Sequence, residues 1–309
     1  MRGLGGDTLK TFARHQTFAP RYGWLTRGLE AVESDADFFH KKDVHFELGV
    51  GKNMAQAIRY WIEAFGLVER IEDSCHSKMR HNLVLTELGR FVLENDRYME
   101  LPQTLWLLHY HLVCSKQLAS SWYYVFQIYN RSTFRTEDLT RLIHEWSKEE
   151  SGKTVSLNSI KKDLQIISRM YAMPDTKSLK KNKGYEDLID SVFSPLGLLQ
   201  KSDFHEYVFA ESHIPLPVLL YSIAYYMLQK NLNMVSLHAL LNDECSAGKS
   251  FRARESQLLH AIQSPLARQV GFRFQATAGV YNVTLTKKSD AIQKLRAAMI
   301  PKSFQEKSA

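Results

Sequence analysis

Residues 49–68, GVGKNMAQAIRYWIEAFGLV, carry a turn, a helix and the start of a strand in one short run. Gly49 and Gly51 supply the turn, because glycine tolerates backbone angles that a Cβ disfavours. Asn53 is the expected N-cap. Met54, Ile58, Trp61, Ile62 and Phe65 then recur at the spacing of one helix face and predict a buried stripe. Gly66 closes the helix as a C′ residue, and Leu67 and Val68 begin a strand. The opposite face is polar, with Lys52, Asn53, Gln56 and Arg59. Such residues on a helix suit a DNA major groove: lysine and arginine reach guanine or phosphate, while asparagine and glutamine reach adenine.

Working outward, Leu25, Leu29 and Val32 predict a helix after Pro20, and Phe38, Phe39, Val44 and Leu48 predict a second over residues 37–48. Downstream, residues 72–82 are polar. Leu83 to Leu85 return as a strand, and Thr86 caps a helix over 87–93. Helix, helix, tight turn, helix, then a hairpin with a polar tip is the order of a winged helix-turn-helix. Lys78 and Arg80 at that tip become candidate phosphate or minor-groove contacts.

Residues 101–130 are crowded with Trp, Tyr and His and predict two buried helices, a hub. A second helix pair follows over 134–148 and 156–171. In the latter, Leu157, Ile160, Leu164, Ile167 and Met170 form the inner stripe. Lys161, Lys162 and Arg169 lie outside and join the candidate DNA-binding set. Lys177, Lys180, Lys181 and Lys183 form a polar tract, and a hairpin is expected within 198–209. The last third repeats the theme, with helices over 218–228, 236–241 and 253–262. Strands over 272–276 and 281–286 and a helix from Asp290 complete it. The expected fold class is mainly α with small β-hairpins, as winged-helix-like modules around a helical hub. The expected domains are 1–100, a winged-helix module; 101–212, the hub with a second helix-turn-helix-like module; and 213–309, a third winged-helix-like module.

The 309 residues carry a net charge of +7. A basic balance favours polyanionic partners and says nothing of fold. Its distribution matters more. Residues 1–116 hold 15 basic and 15 acidic side chains, residues 117–200 hold 12 and 10, and residues 201–309 hold 13 and 8. A DNA contact in the first module therefore needs a local patch rather than bulk charge.

Other classes fall away. No run reaches the roughly 20 apolar residues of a membrane span, and the first residues lack a signal-peptide core, so a cytoplasmic protein is expected. Cys75, Cys114 and Cys245 are odd in number and far apart in sequence, with no zinc spacing. Cys75 with His76 and His81 is an incomplete ligand set. His109 and His111, two apart, point to different helix faces and read as core. The string AGKS at 247–250 lacks the glycine spacing of a phosphate loop, and no hydrolase or dinucleotide motif occurs.

RHQTFAPRYGWLTRGLEAV at 14–32, LGVGKNMAQAIRYWIEAFGLV at 48–68, LTELGRFVL at 85–93, LPQTLWLLHYHLV at 101–113 and SSWYYVF at 120–126 resemble a domain-of-unknown-function family of bacterial DNA phosphorothioation gene clusters. The likeness is dense to about residue 130 and thinner beyond. The family resembles the B component of the Ssp-type system, associated with DNA nicking. The resemblance implies a DNA nickase acting on double-stranded DNA with a cysteine desulfurase, an ATPase and a sulfurtransferase. A divalent metal, Mg or Mn, would serve the hydrolysis. His15 and Arg21 match the family's opening string and are candidate catalytic residues, as an acid/base or a phosphate clamp, the alternative being that they hydrogen-bond the segment onto the first helix. The metal ligands stay unassigned. The alternative is a non-catalytic DNA-binding or scaffold subunit that recruits the other components. A homodimer is expected by analogy with paired helix-turn-helix proteins on DNA.

Overall fold

The computed structural model describes residues 11–72, 81–152, 154–172, 192–202, 206–277 and 279–301. The element labels count the described elements. Among the described residues the chain is mainly helical with three small antiparallel sheets.

In the first segment α1 (Tyr22–Ser34) buries Leu25, Leu29 and Val32 against α3 (Lys52–Ala64), which buries Ile58, Trp61 and Ile62. The two helices approach closely because Gly28 has no side chain: a Cβ there would sit 2.8 Å from Ile58 Cγ2. The stripe of α3 follows its sequence period, with Phe65 buried as its C-cap. The N-cap is Gly51 rather than Asn53, so Asn53 lies inside the first turn with its side chain exposed. Gly66 adopts φ +67° and ends the helix, as the sequence requires.

The expected helix over 37–48 is broken. A 3₁₀ turn, Phe38–His40, and a short helix α2, Val44–Glu47, replace it. The reason is tertiary: His40 Nε2 hydrogen-bonds the carbonyl of His81 at 2.9 Å, and Leu83 N donates to the Ala36 carbonyl at 3.0 Å. These bonds tie the segment to strand β2. Strands β1 (Val68–Glu72) and β2 (His81–Leu85) form the hairpin. Thr86 caps α4 (Glu87–Asn95), accepting from Gly89 N at 3.0 Å, as expected.

The aromatic hub consists of α5 (Pro102–Cys114) and α6 (Ser120–Tyr123), which passes into a π turn, Tyr124–Ile128. Then β3 (Thr133–Phe134), α7 (Thr136–Ser151), α8 (Leu157–Tyr171), β4 (Leu199–Lys201) and β5 (Tyr207–Phe209) follow. Ser156 caps α8, but Leu157, assigned inward, is 46% exposed because it occupies the helix's first position. The final segment runs α9 (Leu216–Gln229), β6 (Met234–Ser236), α10 (Leu237–Asn242), α11 (Ala247–Phe251), α12 (Glu255–Gln263), α13 (Pro265–Val270), β7 (Arg273–Thr277), β8 (Val280–Thr284) and α14 (Lys288–Met299). Both later sheets place their last strand in the centre, β3-β5-β4 and β6-β8-β7. Buried side chains from all three segments join one continuous core. No described helix is long and apolar enough to cross a membrane.

Candidate nucleic-acid interface

Three recesses run along the outer face of α3. The first, of about 520 Å³, is walled by Arg21, Trp24, His45, Phe46, Gly49 and Met54. The second, of about 340 Å³, shares His45 and adds Lys41, Lys42, Lys52, Gln56 and Arg59. The third, of about 600 Å³, shares Gln56 and Arg59 and adds Arg14, Glu63 and Arg70. Their shared walls make one furrow with cationic side chains along its length. Helix periodicity produces it: the face opposite the apolar stripe is the only one free to carry charge.

The structure brings Lys52, Gln56 and Arg59 together with Arg21 along this furrow. Lys52, Asn53 and Gln56 are exposed. Arg21 lies beside Trp24, its Cζ 5.3 Å from the ring centroid. Arg59 is partly neutralised: its Nε donates to Glu63 Oε1 at 3.1 Å, while Arg70 Nε donates to Glu63 Oε2 at 2.7 Å. Lys41 pairs with Asp35 at 3.0 Å, which raises its pKa and lowers that of Asp35 through their hydrogen bond. Phe46, 74% exposed, stands at the rim. The sequence reading missed Lys41, Lys42 and His45, although HKKDVH at 40–45 is a visible basic cluster, because one continuous helix was assumed there.

Lys161 and Arg169 are exposed on α8 and Lys162 is half-buried. None of the three lines the furrow, so the two basic faces stay separate surfaces. Lys78 and Arg80 fall outside the described residues, as do Cys75, His76 and the tract 177–183.

His15 does not reach this surface. It is 0% exposed. Its Nδ1 accepts from Thr17 N at 3.1 Å, so the ring's proton sits on Nε2 and is donated to Asp163 Oδ1 at 2.8 Å. Asp163 also accepts from Ala13 N at 2.8 Å and from Ser121 Oγ at 2.6 Å. The imidazole stacks on Trp61, centroids 6.0 Å apart at 14°. Ala13, Gln16 and Thr17 all have positive φ, a conformation non-glycine residues adopt only when surroundings impose it. This is a buried clasp holding segment 11–20 between α3 and α8. A group so enclosed does not touch a duplex in this conformation.

His109 is a core residue, as read, while His111 is half-buried with its Nε2 bonded to Tyr221 Oη. His109 Nε2 donates to the Ser250 carbonyl at 2.8 Å, and Nδ1 accepts from Tyr171 at 2.7 Å. Burial pushes both histidines down to about 3. The AGKS string forms α11, packed so closely on α10 that a Cβ at Gly248 would strike the Leu241 backbone. It is a packing element, not a phosphate loop. Among the described residues no group of three or more His, Cys, Asp or Glu side chains is gathered to hold a metal ion.

Residues 12–301 match the model of a family described as a protein of unknown function, DUF4007. The chain belongs to this family. Two solved structures share the fold: a magnesium ion-bound SspB crystal structure (TM-score 0.84) and a second SspB crystal structure (TM-score 0.83). In each, the identity is 29%, and the match covers 95% of this chain and 90% of that one. No curated protein matches. The family match begins at Phe12 and so includes the His15 segment, the furrow and the hub.

Proposed function

We propose that this chain holds double-stranded DNA for an Ssp-type phosphorothioation system, with α3 in the major groove. The observation that carries the reading is the continuous cationic furrow along α3, with Lys52, Asn53 and Gln56 exposed beside Lys42 and Arg21. Phosphates would meet Arg21, Lys42 and Arg59, and base edges would meet Asn53 and Gln56. A helix pair followed by a sheet with its last strand central supports the winged-helix reading of the second and third segments. The modules are those of 1–100, 101–212 and 213–309, packed on a common core. Lys161, Lys162 and Arg169 form a second, separate contact face for the same duplex. The likeness to SspB supports the system. Its partners would be the desulfurase, ATPase and sulfurtransferase, with the chain as a homodimer.

Strand nicking is the finer reading. The magnesium ion of one SspB structure favours it, since a divalent cation serves phosphodiester hydrolysis. The described donor groups do not fit a protein-built magnesium cage. His15, buried away from the furrow, is a positioning residue for segment 11–20. A plasmid assay with Mg²⁺, Mn²⁺ or EDTA, run beside a gel shift, tests both readings. A salt-sensitive shift weakened by Lys52→Ala and Gln56→Ala supports DNA holding, each base-reading contact being worth about 1–3 kcal/mol. Open-circle product lost with EDTA supports nicking. No shift at low salt removes the proposal.

A further inference from the structure

A wide cleft lies away from α3, in the last third of the chain. It has a volume of about 880 Å³ and is walled by α13, β7 and the first turns of α14. Arg268, Arg273 and Lys287 line it, all exposed. Among the described residues, none of the three has an ion-pair partner. Its one lining carboxylate, Asp290, is taken by Lys294 at 2.9 Å. Phe274 forms part of the wall and stacks on Tyr281 of the neighbouring strand, centroids 5.7 Å apart at 17°. Tyr281 is 38% exposed. The basic excess of residues 201–309, 13 against 8, has its open concave outlet here.

We propose that this cleft binds an unpaired stretch of DNA, phosphates on Arg268, Arg273 and Lys287 and a base on the Phe274–Tyr281 ring pair. Cations alone would suit any polyanion. The stacked aromatic pair beside them selects an unpaired strand, because duplex bases have no free face to offer. The inference rests on the DNA-holding reading and extends it: α3 holds the duplex, and the cleft takes a strand released from it.

The test is fluorescence anisotropy on the full chain with labelled oligo(dT) and, separately, a duplex of equal length. The variants are Arg273→Glu/Lys287→Glu, Tyr281→Ala and Lys52→Glu, all at exposed side chains. The charge reversal should weaken oligo(dT) binding at least about tenfold and flatten its salt dependence, since each phosphate contact adds about 0.7 to the slope. Tyr281→Ala should weaken it about fivefold to tenfold or more. Lys52→Glu should leave it within about twofold and weaken only the duplex. Oligo(dT) binding that is absent from the wild type, or unchanged by both cleft variants, overturns the inference. So does an equal loss of duplex and oligo(dT) in the cleft variants. If duplex binding ignores Lys52→Glu while the cleft variants abolish oligo(dT) binding, the α3 reading fails and the cleft stands.

Discussion

His15 and Asp163, 148 residues apart, are joined by a 2.8 Å hydrogen bond in which neither side chain reaches solvent. The bond fixes the strained segment 11–20 across α3 and α8 and thereby shapes the end of the furrow where Arg14 and Gln16 lie. Removing His15 leaves the buried Asp163 under-satisfied, at a cost of about 1–3 kcal/mol for a lost hydrogen bond to a charged group. His15→Ala should lower the denaturant midpoint markedly, while the protein that remains folded binds duplex within about threefold of wild type. Unfolding curves beside anisotropy check this. Loss of nicking with unchanged stability would restore a chemical role to His15.

Glu63 restrains two furrow arginines. Glu63→Gln should free Arg59 and Arg70 to meet phosphate and tighten duplex binding severalfold at low salt. The slope of log K against log salt should steepen by about 1–2. Stability should fall by about 1–3 kcal/mol, because the two guanidinium groups lose a buried acceptor. A salt titration of both proteins measures it, and an unchanged slope would mean that neither arginine faces DNA.

Two glycines are required for packing rather than for turns. Gly28→Ala pushes a methyl against the Cγ2 methyls of Ile58 and Ile62 and should cost about 1–3 kcal/mol. Gly89→Ala drives a methyl into the Leu67 carbonyl, which cannot swing aside, and should cost more. Thermal melts of the two variants rank them, and the reverse order would refute the packing argument.

His109 and His111 set an acid limit. Each is held neutral, burial lowering its pKa from 6.5 to about 3. The unfolded chain therefore binds protons that the folded chain refuses. The stabilisation is complete above about pH 6.5 and is lost as pH falls towards 3, by roughly 1.4 kcal/mol for each pH unit and ring. A melting temperature measured from pH 7 to pH 4 should fall progressively, and His109→Gln should shallow that slope. A flat profile would show that the rings are hydrated.

Much of the secondary structure was legible because its causes are local. The α3 stripe, the Gly66 terminus, the Thr86 cap and the final hairpin each depend on residues within a few positions of one another. Where the pattern misled, a distant partner intervened: His40 bonded to β2 breaks the expected helix over 37–48.

The sequence by itself determined which face of α3 carries Lys52, Asn53, Gln56 and Arg59, since the helical period separates that face from the buried stripe. Only the tertiary structure decided what stands beside that face. It placed Lys41, Lys42 and Arg21 along the same furrow and set Glu63 against two of its arginines. It buried His15 against Asp163, and it brought Cys245 Sγ within 3.9 Å of the Cys114 carbonyl, two cysteines 131 residues apart. Periodicity and capping act over one or two helical turns, whereas such pairings are settled by how separate helices pack, which no short window of sequence contains.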